Sequence, residues 1–185
     1  MIEAKNLFKK FDSGDTQIVA LDNVSFSVKK GEFIAVTGKS GSGKSTLLYQ
    51  LGLLDHPTSG EVVIDGVDVG KLSSDDRTRF RLYYLGYVFQ DYAILPSLSA
   101  IENVSLPLLM QGVDAFVAAE KAKAALERVG LGHRVNNLPS QLSGGEQQRV
   151  AIARAISHDP KIIFADEPTA NLDTETSRAV LQCFL

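Results

Sequence analysis

Gly38-Lys39-Ser40-Gly41-Ser42-Gly43-Lys44-Ser45 fits the spacing G-x-x-x-x-G-K-[ST], and the apolar run Phe33-Ile34-Ala35-Val36 leads into it as a buried strand would. Glycines at these positions let the backbone curl until successive N–H groups point at an anion. Lys44 adds a mobile positive charge, and Ser45 offers a hydroxyl to Mg2+. Residues 46–54 then begin a helix whose positive dipole end faces the same anion. A Gly/Ser-rich linker has a similar composition, but linkers are not bracketed by an apolar strand and a helical pattern. The stretch reads as a phosphate cradle.

Composition limits what surrounds the cradle. A chain of 185 residues with 44% hydrophobic content has material for one domain with a real core. The formal net charge of −3 provides no basic field for nucleic acid, so substrate anions must be met by local groups. Cys183, the single cysteine, cannot form an internal disulfide, which fits a reducing compartment. The first residues, Met1-Ile2-Glu3-Ala4-Lys5-Asn6, contain no apolar signal region. No apolar run approaches the ~18 residues that span a bilayer, so membrane contact is expected to go through a partner.

Around the cradle, residues 18–28 alternate, with Val24, Phe26 and Val28 on one face and Ser25 and Ser27 on the other, as in a half-buried strand. Residues 61–64 and 67–69 flank Asp65-Gly66 and read as a hairpin, part of an antiparallel β element. Residues 84–89, ending before Gln90, and residues 161–165, ending before Asp166, read as further strands of a parallel α/β sheet. Between Gln90 and Leu142 the pattern turns helical. Ser99-x-x-Glu102 and Asp114 are helix starts, and Ala118, Ala122, Ala125, Leu126 and Val129 share a face that Gly130 terminates. A loop with one amphipathic helix is the alternative, because Pro96, Pro107 and Pro139 interrupt the pattern.

Two further stretches carry chemistry. Asp166-Glu167 closes an apolar strand, at the sheet edge where open α/β folds bind ligands. There Asp166 suits Mg2+ or its water shell, and Glu167 suits a water positioned for attack on a γ-phosphate. Leu142-Ser143-Gly144-Gly145-Glu146 opens a helix at residues 147–157. Ser143-x-x-Glu146 is a capping box, which explains the serine and the glutamate but not Gly144-Gly145. Paired glycines at a helix start leave the backbone open to close approach and favour a second phosphate-contacting surface.

The ordered set 38–45, Gln90, 142–146 with Gln147-Gln148-Arg149, 162–167 and Asn171-Leu172-Asp173 resembles the nucleotide-binding domain of ATP-binding cassette (ABC) transporters. Leu51-Gly52-Leu53-Leu54-Asp55, Pro57-Thr58-Ser59-Gly60-Glu61, Val88-Phe89-Gln90 and Ala165-Asp166-Glu167-Pro168-Thr169 resemble the lipoprotein-release and macrolide-export branch; the cell-division branch is similar too. The resemblance implies a P-loop NTPase with a RecA-like parallel sheet core, a flanking antiparallel β element and an inserted helical subdomain. Residues 1–185 would form one ABC ATPase domain, with core residues 1–90 and 158–185 and helical residues 91–157.

It further implies that Gly38, Lys39, Ser40, Gly41, Ser42, Gly43, Lys44, Ser45 and Thr46 grip the triphosphate of ATP. Ser45, Gln90 and Asp166 would serve Mg2+, Glu167 would be the general base, and Lys44 and Gln90 would join it in catalysis. Ser143, Gly144, Gly145, Glu146 and Asp173 would act on, or lie near, the ATP of a second subunit in a head-to-tail homodimer or paired ABC ATPase. Gln90 would report the nucleotide state to a transmembrane permease at the cytoplasmic face of the cell membrane. Phe11 matches the aromatic that stacks on adenine; an ordinary core phenylalanine is the other reading.

Lys39 stands where many relatives carry proline, and Ala170 where many carry glycine. The family continues with a further strand and a histidine at the γ-phosphate, whereas His56, His133 and His158 all precede Asp166. The last core strand is therefore expected to be missing, leaving a gap in the sheet and a poorly folded, hydrolytically impaired chain. Four functions are in view: a transporter motor, a chromosome or repair ATPase, a signalling clamp of the cell-division kind, and an inactive remnant. About fifty residues without sustained heptads between Gln90 and Leu142 disfavour the second.

Overall fold

Strands β1 (Ile2–Ser13) and β2 (Thr16–Val28) form a long antiparallel hairpin. β1 also pairs antiparallel with β3 (Ser59–Ile64), which turns through Asp65 and Gly66 into β4 (Val67–Asp68), giving the order β2-β1-β3-β4. Asp65 and Gly66 have φ of 52° and 82°, the paired left-handed residues that a tight hairpin turn matched to strand twist requires. In this computed structural model, residues 2–14, 16–170 and 172–184 are described; Asn171 of the Asn171-Leu172-Asp173 phrase lies outside them.

The chain divides into two units, Met1–Arg79 and Phe80–Leu185. In the first, Ile2, Ala4 and Leu7 of β1, Leu21 of β2, and Val62 and Ile64 of β3 are buried, while Val24, Phe26 and Val28 are half-buried. Helix α1 (Lys44–Leu51) begins two residues before the expected start, at Lys44 itself, and stops at Gly52. The apolar run 33–36 departs from expectation. Phe33, Ile34 and Val36 are 69%, 54% and 42% exposed and form no strand, so the buried strand expected there is corrected. A strand is buried by neighbours on both faces and both edges, and the parallel sheet holds only two strands among the described residues.

Helix α2 (Ser74–Tyr84) carries the chain into the second unit. There β5 (Leu85–Val88) pairs in parallel with β6 (Ile162–Ala165), with Leu85 opposite Ile162 and Val88 opposite Ala165. The crossover between them contains α3 (Ala100–Met110), α4 (Ala115–Arg128) and α5 (Gly144–Ile156), and α6 (Thr174–Gln182) follows β6. Both expected helix starts are made: Ser99 and Glu102 form a complete capping box, and Asp114 caps α4 through the amides of Phe116 and Val117. Ala118, Ala122, Ala125, Leu126 and Val129 are buried, and the last four join Val88, Val104, Val150, Ile152 and Val180 in one apolar cluster. Pro107 stays inside α3, and Pro139 opens a short 3-10 turn.

Candidate functional site

The cradle lies within the first unit. Residues 38–42 are exposed and residues 43–46 half-buried. The Lys44 ammonium donates to the carbonyls of Gly38 and Lys39, each at 3.1 Å, so the loop closes around its own cation. The Ser42 amide returns to the Lys39 carbonyl at 3.2 Å. Gly43 caps α1 in the left-handed region at φ 90°, and an added Cβ would overlap the Ala20 carbonyl of β2; on Gly38 it would lie 2.6 Å from Ser42 Oγ. No capping side chain and no first-turn carboxylate offsets the positive end of α1.

The second unit brings Gln90, Asp166 and Glu167 to one sheet edge. Gln90 is two residues beyond Val88 and Glu167 two beyond Ala165, and these strand residues are paired. The Asp166 amide donates to the Val88 carbonyl at 2.9 Å, extending the ladder one step. Asp166 is 4% exposed, whereas Gln90 and Glu167 are exposed. Glu167 has φ 44°, a left-handed conformation that non-glycine residues adopt at a cost and that clusters at functional sites.

At the start of α5, Ser143 accepts from the Glu146 amide, and Glu146 accepts from the Ser143 amide at 2.8 Å and from Arg134 Nε at 3.1 Å. The Ser143 amide and hydroxyl and the nearby Arg134 hold the Glu146 carboxyl below its ordinary range against an opposing push from burial. The helix starts at Gly144, earlier than expected. The glycine pair is also approached from within the chain. An added Cβ on Gly144 would lie 2.9 Å from Tyr92 Oη, and one on Gly145 would overlap Thr176 Cγ2.

Asp173 caps α6, accepting from the Glu175 and Thr176 amides at 3.0 Å and from the Thr176 hydroxyl at 2.6 Å. Those bonds, led by the Thr176 hydroxyl, hold its carboxyl low. Phe11 on β1 is 42% exposed, which excludes the reading as an ordinary core phenylalanine.

The family model described as ABC transporter matches residues 21–170, which contain the cradle, Gln90, the α5 corner and Asp166-Glu167. The chain belongs to the ABC transporter family. An uncharacterized ABC transporter ATP-binding protein of Thermotoga maritima is 49% identical over 100% of this chain and 79% of its own length. The lipoprotein-releasing system ATP-binding protein LolD of Shewanella oneidensis is 46% identical over 98% of this chain and 79% of its own length. The dimeric post-hydrolysis structure of the ATP-binding cassette MJ0796, bound to ADP and Pi, superposes with a TM-score of 0.93 at 42% identity, covering 100% of this chain and 81% of that one. This is an ABC-type ATP hydrolase that uses ATP with Mg2+, on a P-loop ABC fold.

The residues of this ABC domain fit those groups. The loop wraps a lysine ammonium at a helix N-terminus with no acidic residue in its first turn, as a polyphosphate requires. Ser45, Gln90 and Asp166 offer the hard oxygen donors that Mg2+ prefers. Two contributors escaped sequence reading. Lys9 places its ammonium 4.8 Å from the Phe11 ring centroid, and Arg154 donates to the carbonyls of Tyr92 and Ala93 at 3.1 and 2.6 Å. For Lys9 the available signal was a cation two residues before an aromatic on one strand. Arg154 had none, because its partners are about sixty residues away in sequence.

Proposed function

We propose that this chain is the ATP-binding and ATP-hydrolysing subunit of an ABC transporter of the lipoprotein-release type. It works as a pair of copies beneath a transmembrane permease, on the cytoplasmic face of the membrane. The 46% identity to LolD supports the branch, and the dimeric MJ0796 cassette supports the pairing. No described helix is long and apolar enough to cross a membrane.

The observation that carries the reading is the glycine-rich loop closed around Lys44 at the N-terminus of α1. Lys44 exchanges its two carbonyl partners for phosphate oxygens, and the amides of residues 41–46 hold the remaining phosphate charge. Ser45, Gln90 and Asp166 are the residues that would hold Mg2+, which would neutralise phosphate charge and polarise the γ-phosphoryl group. Glu167 orients a water and takes its proton as the water attacks the γ-phosphorus and the bond to the bridging oxygen breaks, releasing ADP and phosphate. Ser143 and the amides of Gly144 and Gly145 meet the nucleotide of the second copy, with Glu146 holding that corner and Asp173 bordering the seam. Phe11 is the platform for adenine.

The test separates binding from chemistry. In the purified chain, Lys44→Ala should abolish Mg·ATP binding, and Glu167→Gln should retain it while hydrolysis falls by about 10²–10⁴-fold. Unchanged affinity in the first variant, or surviving hydrolysis in the second, overturns the corresponding assignment.

A further inference from the structure

The Phe11 ring does not stand alone on β1. The Lys9 ammonium lies 4.8 Å from its centroid, within the range of cation–π attraction. That ammonium is itself immobilised. It is 2.7 Å from Asp55 Oδ2 and donates to the His56 carbonyl at 2.7 Å, and the Lys9 side chain is only 12% exposed. Asp55 is fixed in turn by Gln50 of α1, whose Nε2 donates to the same carboxylate oxygen at 3.0 Å. Burial would push the Asp55 carboxyl up, yet Lys9, the His56 amide and Gln50 together hold it below its ordinary value. A chain of contacts thus runs from the C-terminal turn of α1 through Asp55 and Lys9 to the ring, while the N-terminal turn of α1 carries the phosphate loop.

We propose that Lys9 is a positioning residue for the nucleobase: its anchored ammonium fixes the Phe11 ring from one side and leaves the exposed side set to stack on a purine. This rests on the reading of Phe11 as the adenine platform. A ring oriented before binding does not have to be ordered at the moment of binding, a cost of about 0.5–1.5 kcal/mol for a mobile side chain. The cation also draws electron density from the ring, which favours stacking on an electron-rich base.

Equilibrium binding of Mg·ADP and Mg·pyrophosphate to the purified chain tests this, because only ADP carries a base. Phe11→Ala should weaken ADP and leave pyrophosphate alone. Lys9→Met should weaken ADP about threefold to tenfold with pyrophosphate within about twofold. Lys9→Arg, which retains a cation, should recover most of the loss. Adding Lys9→Met to Phe11→Ala should cost nothing further, since a ring that is absent cannot be positioned. Asp55→Asn, which keeps the ammonium but loosens its anchor, should also weaken ADP selectively, and it serves if Lys9→Met fails to fold. Equal weakening of ADP and pyrophosphate by Lys9→Met or Asp55→Asn means that the network acts only through α1, and overturns the proposal. If Phe11→Ala leaves ADP binding unchanged, the platform reading fails; if Phe11→Ala weakens ADP while Lys9→Met does not, the platform stands and the role of Lys9 falls.

Discussion

Thr176, on the first turn of α6, sets its methyl group against Gly145, on the first turn of α5, so closely that any β-carbon on Gly145 would overlap it. The same threonine is held in place by its hydroxyl bond to Asp173 at 2.6 Å. Gly145→Ala should therefore lower stability by about 1–3 kcal/mol as an overpacked site, although helix propensity alone favours alanine. Thr176→Ser removes the offending methyl and keeps the hydroxyl, so the double variant should regain most of the loss in a urea midpoint. ATP-driven dimerisation of that double variant, followed by light scattering in a Glu167→Gln background, then separates two uses of the glycine. If the nucleotide of the second copy needs a bare backbone, the double variant stays monomeric. If it dimerises, the glycine serves packing within one chain.

Arg154 spans the other side of the same corner, its two terminal nitrogens on the carbonyls of Tyr92 and Ala93. Both of those residues have positive φ, 59° and 50°, immediately after Gln90-Asp91. A charged fork on two carbonyls can hold a backbone that would otherwise relax. Arg154→Lys keeps the charge but loses the fork, and should cost about 1.5–3 kcal/mol. Amide exchange of residues 91–95 should accelerate while that of α4 does not. If exchange there is unchanged, the left-handed pair is held by something other than Arg154.

Features encoded by a few adjacent residues were legible in the sequence. The loop that closes on Lys44 ahead of α1 follows from glycine spacing, the β3–β4 turn from Asp65-Gly66, and both capping boxes from Ser99 with Glu102 and Ser143 with Glu146. Features that depend on distant partners were not. β1 escaped because the irregularity between Ala4 and Leu7, with Asn6 at φ 49°, breaks its alternation. The run 33–36 shows the converse: four apolar residues specify a strand's chemistry but not its neighbours, and this one forms no pair. Gly144-Gly145 was read as room for an approaching anion. The structure fills that space from one side with Tyr92 and Thr176, which lie 52 and 31 residues away in sequence.

His158 gives the chain a titration near neutrality. Its Nε2 lies 3.1 Å from the Leu85 carbonyl, so that nitrogen carries the proton in the neutral ring. Burial pushes its pKa down from the ordinary value of about 6.5, only partly opposed by the Leu85 carbonyl, the Asp159 charge and the Arg154 backbone. The fold thus prefers neutral histidine, and the unfolded chain takes up the proton first. Stability should be level above about pH 6.5 and fall below it, as the unfolded state gains protons that the native state resists. Urea midpoints at pH 7.5 and 5.5 should differ in the native sequence. His158→Gln keeps an N–H for Leu85 and cannot titrate, so its midpoints should lie closer together. An identical pH dependence in that variant would place the titrating group elsewhere.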